Sequence, residues 1–309
     1  MSREDAPARR ETLFIVNPAA HNLPKRSALL ALDAWLNQQG WQVAWEETSR
    51  PGQAITMAAR AAKAKLPLIF VVGGDGTLNE AANGLVGSET ALAMVPAGTV
   101  NIWAREVGIP LRPQDAVSAC LQGQRRRVDL GRAGDRYFLL MASYGLDGHI
   151  ARRVSLRAKR YLGATSYAAT AVREALRYRG RPVRLALDDE IREGPALMVV
   201  AANTRNYAGL VNITEDARAD DGLLDVCAFL GEGTLDILLQ ALGVVLKRYR
   251  KSEKVIYRKV RRLELGWENP LPLQIDGEPY PQSPPKVEVV PSVLDVMIPK
   301  GARRPLFSR

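Results

Sequence analysis

Up to about residue 123, short apolar runs alternate with segments of helical periodicity. Runs at 12–16, 68–72 and 91–95 read as buried strands, and Trp41, Val43 and Trp45 alternate as a further strand. Between them, Leu29, Leu32 and Leu36 mark one helical face, and Ile55, Ala58, Ala59 and Ala62 another. Pro113 opens a later helix that ends near Gly123. Strand and helix in turn predict a parallel, doubly wound sheet, whose ligands sit at the carboxyl ends of the strands.

The texture then changes. Strands are predicted at 125–132 and 137–144 around the turn Gly134-Asp135, then at 183–187, 196–201, 223–230, 255–265, 271–275, 287–290 and 293–298. Turn signals such as Asp188-Asp189-Glu190, Asp221-Gly222 and Asp276-Gly277 separate them, so this half is expected to be a mostly antiparallel β domain. Helical patterns at 161–178 and 235–249 interrupt it. The second carries an apolar stripe of Leu235, Leu238, Leu239, Leu242 and Leu246. The expected division is an α/β domain over 1–129 and a β-rich domain over 130–290, with 291–309 a candidate to complete the first.

Chemistry concentrates in the polar loops. The run from Leu68 ends in Gly73-Gly74-Asp75-Gly76-Thr77, and Leu78, Ala81, Ala82 and Leu85 continue as a helix. Glycines let the backbone approach closely, and free N–H groups at a helix start attract phosphate. Thr77 and Asn79 add donors. Asp75 would repel a bare phosphate, so it implies a cation or a hydroxyl to be activated. A second loop, Pro96-Ala97-Gly98-Thr99-Val100-Asn101, precedes a short helix, where Thr99 and Asn101 suit both capping and phosphate contact.

The acidic turns allow two readings each. Asp220-Asp221-Gly222 is a hairpin turn or a cation site. Asp129 is a second candidate for holding Mg²⁺, or a strand-edge acid paired with an arginine. Glu278 is a candidate base for a hydroxyl proton or a solvated turn acid, and Asp276 shares that role or orients the loop.

Composition narrows the partners. The net charge of +10 fits nucleic acid, an anionic membrane or a phosphorylated ligand. Aromatics make up 6% of the chain and do not interleave with the basic residues, so no nucleic-acid platform is expected. Cys120 and Cys227 lie in apolar runs and read as core residues of a reducing compartment, and two histidines argue against a zinc centre. The chain shows neither a bilayer-spanning run nor a signal peptide, which points to the cytoplasm. Basic runs occur at Arg152, Arg153, Arg157, Lys159 and Arg160, and from Lys247 to Arg262. The apolar stripe of 235–249 leads directly into the second run, a pattern that fits peripheral docking on anionic lipid.

Gly73-Gly74-Asp75-Gly76-Thr77-Leu78-Asn79-Glu80, Pro96-Ala97-Gly98-Thr99-Val100-Asn101, Asp220-Asp221-Gly222-Leu223-Leu224-Asp225 and Asp276-Gly277-Glu278-Pro279 together resemble the diacylglycerol kinase catalytic-domain family, in particular its bacterial lipid kinases. The first motif alone is shared with NAD kinases. The resemblance implies transfer of a phosphoryl group from ATP, with Mg²⁺, to a lipid hydroxyl in a cleft between the two domains. Asn17, Thr48, Gly73 to Glu80, Gly98, Thr99 and Asn101 would hold ATP. Asp221 and the carbonyls of Arg218 and Leu223 would hold a structural magnesium, and Glu278 would accept the proton.

Three departures stand out. Ile102 replaces an acid common in the family, Ala20-His21 replace a small polar pair, and the glycine-rich run is reduced to Tyr207-Ala208-Gly209-Leu210. An NAD kinase-like enzyme and a catalytically silent nucleotide- or lipid-binding regulator are the rival readings. A homodimer is left open.

Overall fold

The computed structural model describes residues 10–153, 172–207, 209, 211–301 and 306–308. The chain forms two compact units: one holds the chain up to Val128 together with a segment from Ser292, the other runs from Asp129 to Pro291 and regains the chain's end.

The first unit begins β1 (Arg10–Val16), α1 (Arg26–Gln38), β2 (Trp41–Glu47), α2 (Gln53–Lys63), β3 (Leu68–Gly73), α3 (Asp75–Leu85) and β4 (Ala91–Pro96). Short helices α4 (Ile102–Val107) and α5 (Pro113–Leu121) follow. The strands are parallel, in the order β2-β1-β3-β4. Every residue of β3 and β4 is buried, as continuous apolar strands covered by helices must be. Phe14 stacks on Phe70, ring centres 4.6 Å apart, and meets Trp45 at 4.4 Å. After β2 the chain returns to the far side of β1, so a switch point lies between β1 and β3. The register pairs Val16 with Val72 and Gly73 with Pro96, so the loops leaving β1, β3 and β4 emerge level with one another.

The chain enters the second unit within β5 (Gln124–Ala133) and continues through β6 (Arg136–Phe138), β7 (Met141–Gly145) and α6 (Leu146–Arg153). Next come β8 (Arg181–Leu187), β9 (Glu190–Ala202), β10 (Asn206–Tyr207), β11 (Val211–Asn212), β12 (Leu224–Leu230) and α7 (Thr234–Val245). Strands β13 (Val255–Val260), β14 (Arg262–Gly266), β15 (Leu273–Ile275), β16 (Glu278–Tyr280) and the first part of β17 (Lys286–Ile298) complete it, while β17 from Ser292 onward belongs to the first unit, where Val296 pairs in parallel with Leu92 of β4. Pairing within this unit is antiparallel, for example β9 with β7, β8 and β12. Tyr144, Leu185, Val199, Val226, Leu263 and Leu273 are among the side chains of its core.

Three strands depart from their apolar runs. The run 137–144 divides into β6 and β7 because the N–H groups of Leu139, Leu140 and Met141 turn to the carboxylate of Asp276. The run 255–265 breaks at Arg261, where Asp188 accepts the N–H groups of Arg261 and Arg262. Residues 287–298 lie in one strand, β17, which runs through Pro291 and the left-handed Ser292 without ending there.

Helix α7 departs most. Its leucines face outward, and its buried residue is Gln240. Of the pattern at 161–178 only 172–178 is described, with 172–177 helical. Arg157, Lys159, Arg160, Ala208 and Leu210 lie outside the described residues. Among the described residues no helix is long and apolar enough to cross a membrane.

Candidate active site

Three loops meet at the carboxyl ends of β1, β3 and β4. Asn17 ties the first to the second: its Nδ2 donates to Thr77 Oγ1 at 2.8 Å, and its backbone N–H to Val72 O at 2.9 Å. The second and third loops touch backbone to backbone. A Cβ added at Gly98 would lie 2.6 Å from Gly74 Cα and 2.8 Å from Asn101 Oδ1, so only glycine fits. Asn101, left-handed at φ 53°, clamps the same residue, accepting from Gly98 N–H at 2.8 Å and donating to its carbonyl at 2.9 Å. Asn22, absent from the sequence-based candidates, donates to that carbonyl as well, at 2.8 Å.

Among the proposed nucleotide contacts, Thr99 is exposed and Gly74 and Gly76 are half-buried, whereas Gly73, Thr77 and Asn79 are buried. Leu78 packs into the core. Glu80 addresses its own protein: its carboxylate accepts the N–H groups of Gly52 at 2.8 Å and Ala54 at 3.2 Å, fixing the start of α2. Thr48 follows β2, held by its N–H to Val16 O at 2.8 Å.

Asp75 is the first residue of α3. Its two carboxylate oxygens accept the N–H groups of Ile102 at 2.8 Å and Trp103 at 3.1 Å, so it caps α4 from across the loop pair. Burial raises its pKa above the ordinary carboxylate value, and the amides and the Arg105 charge oppose that rise. With both oxygens engaged, Asp75 acts first as the brace between the glycine loop and the second loop. One lone pair on each oxygen remains for a further partner.

In the second unit, Asp276-Gly277 forms a two-residue turn between β15 and β16, with φ of 48° and 84°, the left-handed pair that a type I′ turn requires. Asp276 is buried, and its carboxylate accepts Leu139, Leu140 and Met141 N–H at 2.9, 3.0 and 2.8 Å. Three such bonds make it an anchor of the turn. Glu278, one residue past the turn, is exposed. Gln274 sets the turn from below. It accepts from Gly277 N–H at 2.6 Å and donates to Asp147 Oδ2 at 2.9 Å. Its sequence signal is a polar residue inside the apolar run 271–275. A concavity of about 420 Å³ lies at this hairpin, lined by Gly134, Asp135, Tyr280, Gln282, Ser283 and Pro284.

The loop 218–223 is organised by Asp129, whose buried carboxylate accepts Gly222 N–H at 2.6 Å. Asp221 accepts Leu223 N–H at 3.2 Å, and its other oxygen ion-pairs with Lys259 Nζ at 2.7 Å. The same ammonium lies 3.4 Å from Asp225 Oδ2. Asp225 is wholly buried, and burial raises its pKa against the opposing effects of the Tyr257 hydroxyl, at 2.6 Å, and Lys259. Arg218 is exposed and Leu223 half-buried. These residues do not fit the structural magnesium that the resemblance implies. A divalent ion bound through Asp221 would have to displace an ammonium that already lies between two carboxylates.

Glycine loops at the switch point of a parallel sheet, followed in the chain by an antiparallel β unit, make a two-domain protein whose first unit suits a phosphate-bearing ligand. Residues 11–133 match the diacylglycerol kinase catalytic domain, and residues 141–298 match the YegS C-terminal NAD kinase beta sandwich-like domain. The chain belongs to the YegS-like branch of the diacylglycerol kinase family, and it is a phosphotransferase of the lipid-kinase type.

A protein of Chromohalobacter salexigens named "Probable lipid kinase YegS-like" is 30% identical over 94% of this chain and 94% of its own. The diacylglycerol kinase of Staphylococcus carnosus is 26% identical over 96% and 97%. A crystal structure of a diacylglycerol kinase from Bacillus anthracis shares the fold, with a TM-score of 0.77 over 94% of this chain and 98% of that one, at 23% identity.

Proposed function

We propose that the protein transfers the γ-phosphoryl group of MgATP to a hydroxyl of diacylglycerol or a related lipid at the surface of an anionic membrane. The observation that carries this reading is the loop pair at the switch point, where Gly74 meets Gly98 with no room for a side chain and the first turn of α3 keeps its N–H groups beyond helical pairing.

The residues divide the work. The amides around Gly74 and Gly76, with Thr77 and Thr99, bind the nucleotide's phosphates. Asn17 and Asn101 hold those loops in register. Asp75 keeps α4 against the glycine loop and offers a carboxylate to the magnesium that travels with ATP. Glu278, presented by a turn that Asp276 and Gln274 lock, accepts the lipid hydroxyl's proton. The lipid oxygen then bonds to the γ-phosphorus as the bond to the bridging oxygen breaks, and ADP leaves. Such transfers depend on position and charge more than on covalent help from the protein. Because MgATP is a cytoplasmic substrate, the protein works in the cytoplasm and meets its lipid as a peripheral protein.

Incubation with γ-labelled ATP, magnesium, a panel of membrane lipids and NAD tests the reading. Label in the organic phase supports it. Label on NAD contradicts it in favour of a small-molecule kinase, and retained ATP binding with no transfer contradicts it in favour of a silent regulator.

A further inference from the structure

Helix α7 is amphipathic with its faces exchanged. Asp236, Gln240 and Gly243, spaced four and three apart, face the body of the unit. Gln240 is 8% exposed and donates to Leu230 O. Asp236 accepts Glu232 N–H at 2.9 Å and ion-pairs with Lys254 Nζ at 2.6 Å. Gly243 lets Tyr249 approach so closely that an added Cβ would lie 3.3 Å from its Cα. The opposite face consists of Leu235, Leu238, Leu239, Leu242, Val245 and Leu246, each between 54% and 70% exposed. Their spacing of three and four places them on one stripe. The stripe continues past the helix start, where Thr234 Oγ1 donates to Leu176 O at 2.7 Å and Leu176 is itself 41% exposed.

The charge around the stripe selects its partner. Lys247, Arg248 and Lys251 follow directly, all exposed, and none forms an ion pair among the described residues. A second copy of the chain would meet the same cations on a protein of net charge +10. The stripe is purely aliphatic, without the aromatic or arginine anchors of protein interfaces. Twelve residues span about 18 Å, short of the roughly 30 Å hydrocarbon core, so the helix suits the plane of a membrane and not a crossing.

We propose that α7 is the membrane-docking element. Its leucine face enters the boundary between headgroups and acyl chains of an anionic bilayer, and Lys247, Arg248 and Lys251 engage lipid phosphates. The proposal deepens the lipid-kinase reading and rests on it for its purpose. Vesicles without ATP or diacylglycerol test it separately, so either can fail alone.

The full chain is assayed by co-sedimentation with phosphatidylcholine vesicles, with and without phosphatidylglycerol. A fluorophore on Leu239→Cys reports insertion, because Cys120 and Cys227 are buried with thiol pKa values raised to about 12 and escape labelling. The expected results are a blue shift with anionic vesicles, loss of binding in Leu238→Gln/Leu242→Gln, and an affinity drop of about 100-fold in Lys247→Gln/Arg248→Gln/Lys251→Gln. An unshifted fluorophore or unchanged binding of either variant overturns the proposal. So does light scattering that shows a dimer which Leu238→Gln/Leu242→Gln dissociates.

Discussion

Gly98 is where backbone sterics and the proposed phosphate binding meet. Gly98→Ala places a methyl 2.6 Å from Gly74 Cα, so the two loops must part. The expected cost is about 1–3 kcal/mol of stability, with a larger effect on nucleotide affinity, because the amides lose their alignment. Thermal unfolding and nucleotide titration of the same preparation check both. A variant that keeps wild-type affinity would show that the loop pair does not bind phosphate.

Glycine's demand is local, so this site could be read from residue order. The anchoring by Asp276 could not. Its three amide partners lie more than 130 positions away, and a sequence presents Asp276 and Glu278 as equal turn acids. Folding separates them, one buried on backbone amides and one exposed beyond the turn.

Among elements, the parallel strands and their helices form where periodicity predicts them, since continuous apolar runs and helical stripes are local signals. Breaks in the antiparallel strands leave no local signal because distant acids, Asp188 and Asp276, impose them. The stripe of α7 was visible, but its direction depends on Gln240 and Asp236 finding partners on the body.

Those partners have a pH signature. Asp236 titrates below the ordinary aspartate value, first because of its hydrogen bond to Lys254 and then because of Glu232 N–H. A depressed carboxylate stabilises above its unfolded pKa, about 3.9, and that contribution fades as pH falls through the lower folded value. Hydrogen exchange at the start of α7 is therefore expected to stay constant from pH 7 to about 5 in this respect and to quicken below about 4. In Asp236→Asn that acid limb should vanish, and an unchanged limb would contradict the assignment.

The strand pair β12–β13 carries a second test. Register places Lys259 opposite Asp225 and within reach of Asp221. Lys259→Ala should cost about 1–3 kcal/mol, less than a wholly buried pair, because the ammonium is 30% exposed. Without nucleotide, added Mg²⁺ should then raise the melting temperature of the variant and leave the wild type unchanged. A wild-type response abolished by Asp221→Ala would show that the loop binds magnesium despite its lysine.

At the scale of the whole molecule, the proposed nucleotide capture falls to one unit and the proposed proton acceptance to the other. The paired measurement of ATP affinity and lipid phosphorylation in Glu278→Gln tests that division most directly. ATP affinity is expected to stay within about twofold of wild type, and kcat to fall by about 10²–10⁴. Transfer at the wild-type rate, or ATP affinity lost along with it, would contradict the account.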